Sequence, residues 1–252
     1  MTVEIALTPD SRWEIDVPGL AAATAAAGFT AVGMAAGNAT PAAAKTLDAA
    51  GLRCHEVLAL LIGDDAEETL AQAERLAEAA SVLSARWVLA GFRTKLTAQT
   101  APLIRRCAEV LAEAGAGLAV EFSPMGFVGT ISEARDVVAA AGVERAGVLI
   151  DTWHFFRGRS TWEELATIPL AEIAYLQFDD APAPIGSATS ETLHRRAMPG
   201  DGELDLDRFA STLLERGFDG LVSVEVLSAE LRQLPVPEFC RRAYESTARF
   251  WR

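Results

Sequence analysis

The 252-residue chain is short of cysteine and of positive charge. Its cysteines, Cys54, Cys107 and Cys240, are odd in number and widely spaced. That excludes a disulfide framework or a zinc-finger pattern, and it suits reduced thiols packed as small core residues in a cytoplasmic protein. Lysine occurs only at Lys45 and Lys95. Against 22 basic residues stand 35 acidic ones, a formal net charge of -13. Such a surface repels phosphate backbones and anionic lipid, so neither nucleic acid nor a membrane is expected as a partner. Long apolar runs are missing as well. The alanine-rich stretch 20–27 is too short and too weakly apolar to span a bilayer, and MTVEIALTPD has no basic region followed by an apolar one, so no signal peptide is expected.

What is present is a regular alternation. Half of the residues are hydrophobic (50%), enough for a large core in one domain covering 1–252. Strand-like runs fall at 3–7, 30–34, 53–60, 86–91, 117–122, 146–151, 172–177 and 221–226, with helical stretches between them. Thr40-Pro41 reads as a helix start, and Thr130-x-x-Glu133 and Ser160-x-x-Glu163 have capping-box spacing. Gly28, Gly115, Gly142 and Gly217 each follow a helical run, as C-terminal caps do. The strands recur at about the length of one βα unit, except that a polar loop over 179–203 and a helix near 205–216 lengthen the seventh interval. Eight such units imply a closed (β/α)8 TIM barrel. An open doubly wound sheet would want a glycine-rich dinucleotide loop after the first strand, and LTPDSRWEID is not one.

Four of these strands end on a polar residue: Glu121 in LAVEF, Asp151 in GVLID, Gln177 in AYLQ and Glu225 in VSVE. Burying an unpaired charge is costly, so four such ends in succession point to one shared partner. In an α/β barrel the strand ends meet at one mouth. Three carboxylates and an amide oxygen form a hard ligand set for a divalent metal ion, with manganese or magnesium ahead of cobalt or zinc. Asp151-Thr-Trp-His154 sets a histidine three residues past its carboxylate, and Gln177-Phe-Asp-Asp180 does the same with an acid. His154 reads as substrate-facing or as an imidazole packed among Trp153, Phe155 and Phe156. Asp180 reads as a substrate-side residue, as a group that orients a ligand, or as the start of the loop. Arg196 precedes a Pro-Gly turn at 199–200, where a guanidinium can meet a substrate oxygen. His55 and Glu56 read as core or cavity wall, His194 as an exposed loop residue, and Trp13 as core or as an apolar wall against a sugar face.

These segments resemble the xylose isomerase-like TIM-barrel superfamily, most specifically from Glu121 to Glu225. LIDTWHFFRG is similar to its Asp-x-x-His segment, YLQFDD to its His/Gln-x-x-Asp segment, RRAMPGDGELDLDRF to its Arg-x-x-Pro-Gly-x-Gly segment, and GLVSVEV to its last glutamate strand. The first half matches only in rhythm, and Met34 stands where many relatives carry glutamate. The resemblance implies an enzyme in which Glu121, Asp151, Gln177 and Glu225 bind a divalent metal. Glu121 and Glu225 would also form the acid/base pair, and His154 and Arg196 would contact a small polyhydroxy ketone or aldehyde. Its chemistry would be isomerisation or epimerisation, in which the metal stabilises an enediolate while two carboxylates remove and return a proton.

Gln177 departs from the histidine usual in the sugar epimerases of that superfamily and resembles dehydratase relatives that act on dehydroshikimate or inosose. A metal-dependent dehydratase is therefore the alternative, and a non-catalytic sugar-binding barrel is a third reading. The endonuclease IV branch is disfavoured, since it uses a histidine-rich trinuclear zinc site and this chain has 3 histidines. A homo-oligomer is compatible with the sequence.

Overall fold

The computed structural model describes residues 3–251. Eight parallel strands close into a barrel in sequence order: β1 (Glu4–Leu7), β2 (Ala31–Ala35), β3 (Arg53–Ile62), β4 (Trp87–Phe92), β5 (Gly117–Glu121), β6 (Ala146–Asp151), β7 (Ile173–Phe178) and β8 (Leu221–Val224). Closure runs through β1 and β8, with Glu4 opposite Leu221 and Leu7 opposite Val224. The helices are α1 (Val17–Ala27), α2 (Pro41–Ala49), α3 (Ala66–Leu83), α4 (Ala101–Glu113), α5 (Ile131–Ala141), α6 (Thr152–Arg157), α7 (Trp162–Thr167), α8 (Ala188–His194), α9 (Leu206–Leu214) and α10 (Val236–Trp251).

Burial on both faces explains why the strands read as near-continuous apolar runs. All six residues of β6 are buried. Outward residues such as Val148, Ile150 and Leu176 join the large core under the helices, while Leu89, Ala119, Leu149 and Tyr175 pack together as a separate cluster inside the barrel.

Thr40 caps α2 through the Ala43 N–H, with Pro41 in the first turn. Thr130 caps α5. The other expected capping box lies one residue further on. Thr161 and Glu164 bond reciprocally at the start of α7, because Thr161 has the extended backbone a cap needs, while the Ser160 hydroxyl accepts from the Ile131 N–H. Gly28, Gly115, Gly142 and Gly217 all have positive φ. The 179–203 segment differs from a plain loop, since it contains α8. That helix carries so few apolar residues that no hydrophobic period marks it.

Candidate metal and substrate site

Strand geometry explains how the polar ends come together. Side chains two residues apart on a strand share a face. Ala119, Leu149 and Tyr175 pack inside the barrel, so Glu121, Asp151 and Gln177, each two residues further on, face the same interior. Asp151 is in register with Gln177, and Gln177 with Ser223. Glu225 lies one residue past the end of β8.

The closest grouping joins Glu121, Asp151 and His154, whose candidate ligand atoms all lie within 4.8 Å of one another. His154 Nε2 is 3.4 Å from a Glu121 carboxylate oxygen. The Asp-x-x-His spacing has a local cause: Asp151 caps α6, and its Oδ1 accepts the His154 backbone N–H at 2.8 Å. One carboxylate thus ends a strand, starts a helix and fixes where His154 stands. Both polar atoms of the buried Gln177 amide, and His154 Nδ1, find no hydrogen-bond partner among the described residues. Buried amides are seldom left unsatisfied, and beside two carboxylates an orphaned amide oxygen fits a hard cation. The donor set therefore suits the divalent metal expected from the sequence. Glu121, Asp151, Gln177 and Glu225 would hold it, with His154 next to them.

Arg196 is more deeply buried than a residue that only reaches for substrate. Its Nη1 donates to Asp151 at 2.6 Å, to Glu225 at 3.2 Å, and to Asp179. Its Nε donates to the Thr192 carbonyl at 3.1 Å and its Nη2 to the Thr192 hydroxyl at 2.8 Å. The guanidinium therefore ties two expected ligands together, and its plane lies near the Trp153 ring, 5.8 Å from the centroid.

Asp180 departs from its substrate-side expectation. Its carboxylate accepts the backbone N–H groups of Ala181, Gly200, Gly202 and Leu204, at 2.8 to 3.0 Å. It organises the loop after β7 instead. A side chain at Gly202 would come 2.3 Å from Asp180 Oδ1, so the glycine there permits the close approach. The acid beside the site is Asp179, which sequence reasoning missed. The signal was available: Asp179 is two residues past Gln177 and so keeps its inward face, whereas Asp180 turns away. Trp13 packs edge-on against Phe239 at 4.6 Å, the core alternative, and His194 is exposed.

Charge crowding sets the protonation pattern. Burial pushes the Glu225 carboxyl well above the usual carboxylate range. Asp151, Glu121 and Glu56 add to that push against the attraction of Arg196. Burial likewise pushes Asp179 up to about 7, with Arg196 opposing and Asp151 adding. For Asp151 burial acts the same way, but Arg196 and His154 outweigh it and hold the carboxyl below its ordinary value. Burial disfavours the His154 imidazolium, yet Asp151 and Glu121 raise it above the ordinary histidine value. The site thus combines a carboxyl held below its ordinary value with three groups shifted upward, of which Asp179 reaches about 7.

Residues 21–247 match the family described as xylose isomerase-like TIM barrel. The chain belongs to that family. Among curated proteins it is 33% identical over 153 residues to an inosose isomerase of Halalkalibacterium halodurans, covering 57% of this chain and 53% of the relative. A 3-dehydroshikimate dehydratase of Pseudomonas putida is 28% identical over 108 residues, which is 43% of this chain and 17% of that protein. The chain thus spans about half the length of the isomerases it matches, and less of the dehydratase. The fold is shared with the solved IOLI protein that carries a bound zinc atom, at a TM-score of 0.82, 20% identity and 98% coverage of both chains.

Proposed function

We propose that this protein is a divalent-metal-dependent enzyme that moves a proton at the carbon beside the carbonyl of a small cyclic polyhydroxy ketone, as an isomerase of inosose-like substrates. The observation that carries this reading is the buried Gln177 amide, in register with Asp151 on the next strand and without a hydrogen-bond partner among the described residues. The all-oxygen donors favour manganese or magnesium over cobalt or zinc. A bound metal would supply Lewis acidity toward the substrate carbonyl. Glu121 and Glu225 would act as the acid/base pair. Glu225 stands just past β8, held by the Arg196 guanidinium at 3.2 Å on the other side of the proposed metal ligands. Glu121, partly exposed beside His154, is placed to take one. Arg196 keeps Asp151 and Glu225 in place and presents positive charge to substrate oxygens. The buried thiols suit a cytoplasmic setting.

Water loss is the second reading, favoured by His154. Expelling a hydroxyl beside the acidified carbon needs a proton delivered to it, and the imidazole next to Glu121, shifted above the ordinary histidine value by Asp151 and Glu121, is placed to deliver one. The neutral amide of Gln177 in the ligand set is compatible with either reaction.

The test is turnover in deuterated water with manganese or magnesium, over inososes, ketoses and dehydroshikimate. Deuterium in recovered substrate or its isomer supports proton shuttling. A new conjugated enone absorbance supports dehydration. Full turnover by Glu225→Gln on the active compound would overturn the acid/base role, and no turnover of any compound with metal bound would favour a binding protein.

A further inference from the structure

Directly beneath the strand-end residues lies a second polar group that the proposed reaction does not use. Glu56, on β3, is fully buried inside the barrel. Its Oε1 accepts the Thr8 hydroxyl and lies 3.1 Å from His55 Nε2, and its Oε2 accepts the Tyr175 hydroxyl. The Ser223 and Thr8 hydroxyls are 2.6 Å apart, so Ser223 donates to Thr8 while Thr8 donates to Glu56. Each carboxylate oxygen is thus met by a donor, which stabilises the ionised form. Burial opposes the charge, but His55, Thr8 and Tyr175 together hold the carboxyl below its ordinary value. A side chain at Gly33 would come 2.7 Å from Glu56 Oε1, so the neighbouring strand leaves room for the acid.

The position of this anion relates it to the mouth. Tyr175 and Ser223 stand two residues before Gln177 and Glu225 in the chain, roughly 7 Å deeper in the barrel. Thr8 follows Leu7, the partner of Val224, and so stands beside Glu225. Glu56 therefore touches Tyr175, which underlies Gln177, and Thr8, which flanks Glu225, and it reaches Ser223, which underlies Glu225, through Thr8. A buried anion costs stability even with the His55 imidazole 3.1 Å away, and apolar packing gives no reason to prefer it to a methionine. A dication bound above it does give one.

We propose that Glu56 is a positioning residue that acts as a fixed anion, its charge strengthening divalent-cation binding at the strand ends across the Tyr175, Thr8 and Ser223 layer. The proposal rests on the reading of those ends as a metal site. Its test is calorimetric titration of the chelator-stripped full chain with Mn2+. Wild type should bind one equivalent; no binding would overturn the metal reading, and this proposal with it, before any variant is made. Glu56→Gln should bind at least ten-fold more weakly, while the stripped protein melts no lower than wild type. Tyr175→Phe, which keeps the charge, should lose much less affinity. Equal affinity in wild type and Glu56→Gln overturns the proposal with the metal reading intact. So does an affinity loss matched by Tyr175→Phe or accompanied by a lowered melting temperature, as a merely structural residue would give.

If Glu56→Gln does not fold, the tyrosines supply an independent reading, because the chain has only 2, Tyr175 and Tyr244. With 13C at the tyrosine ζ carbon, Mg2+ should move the Tyr175 resonance at one equivalent and leave that of Tyr244 in place. An unmoved Tyr175 resonance overturns the proposal.

Discussion

The two halves of the barrel share one architecture and differ at their mouths. Strands β2, β3 and β4 finish on Ala35, Ile62 and Phe92, whereas β5, β6 and β7 bring Glu121, Asp151 and Gln177 to theirs, with Glu225 just past β8. Apolar ends contribute burial, and polar ends must be compensated. The second half therefore carries Arg196, an arginine that donates to three buried carboxylates, and a loop built around Asp180. The first half takes part from below, through Glu56 and Thr8. The division is thus one of depth as well as of sequence: ligand-like groups at the rim come from β5–β8, and a buried charge beneath them comes from β3.

Breaking the second half should cost far more than breaking the first. The largest effect is expected for Arg196→Met, which leaves Asp151, Asp179 and Glu225 without their shared cation. It should destabilise the chelator-treated protein by about 3–5 kcal/mol in urea unfolding, and Mn2+ should restore part of the loss. Asp180→Ala comes next. It strips the acceptor from four backbone N–H groups and should cost about 2–3 kcal/mol, with metal affinity less affected than in Asp151→Asn.

A pH series sharpens the same contrast. Asp179 holds its proton to about 7 in the folded chain, above the unfolded value, so the folded state binds more protons between the two. Stability of the chelator-treated protein should therefore fall as pH rises from roughly 4 toward 7, and Asp179→Asn should flatten that slope. The raised carboxyl of Glu225 acts with the same sign, so Mn2+ affinity should rise with pH and binding should release protons, read as a buffer-dependent heat. The smallest effect belongs to the first half's surface. Arg53→Ala removes an exposed ion pair with Glu4 and should change stability by less than about 1 kcal/mol and metal affinity not at all.

Much of the barrel could be read from residue order because parallel strands buried on both faces leave few places for polar side chains. That is why Glu121, Asp151, Gln177 and Glu225 stood out, and why all eight strands fell where the apolar runs were. The misses have equally local causes. Helix α8 lies in SATSETLH, which offers no apolar stripe to detect. Ser160 and Thr161 both stand three residues before a glutamate, and only the backbone conformation separates them. Asp179 and Asp180 are adjacent and alike, and the two-residue period of the strand decides which one faces the site. For Glu56 the sequence supports a place in the core or cavity wall, but the donors that meet its carboxylate come from β7 and from just past β1, a long-range arrangement that no local pattern displays.

The central claim, that the second half's strand ends form one divalent-cation site, is tested most directly by anomalous diffraction from crystals of the full chain grown with Mn2+. The expected result is a single strong peak ligated by Glu121, Asp151, Gln177 and Glu225, with the Gln177 amide oxygen turned toward it. A peak held by Glu121, Asp151 and His154 with Gln177 and Glu225 outside its coordination, or no peak at the barrel mouth, would contradict it.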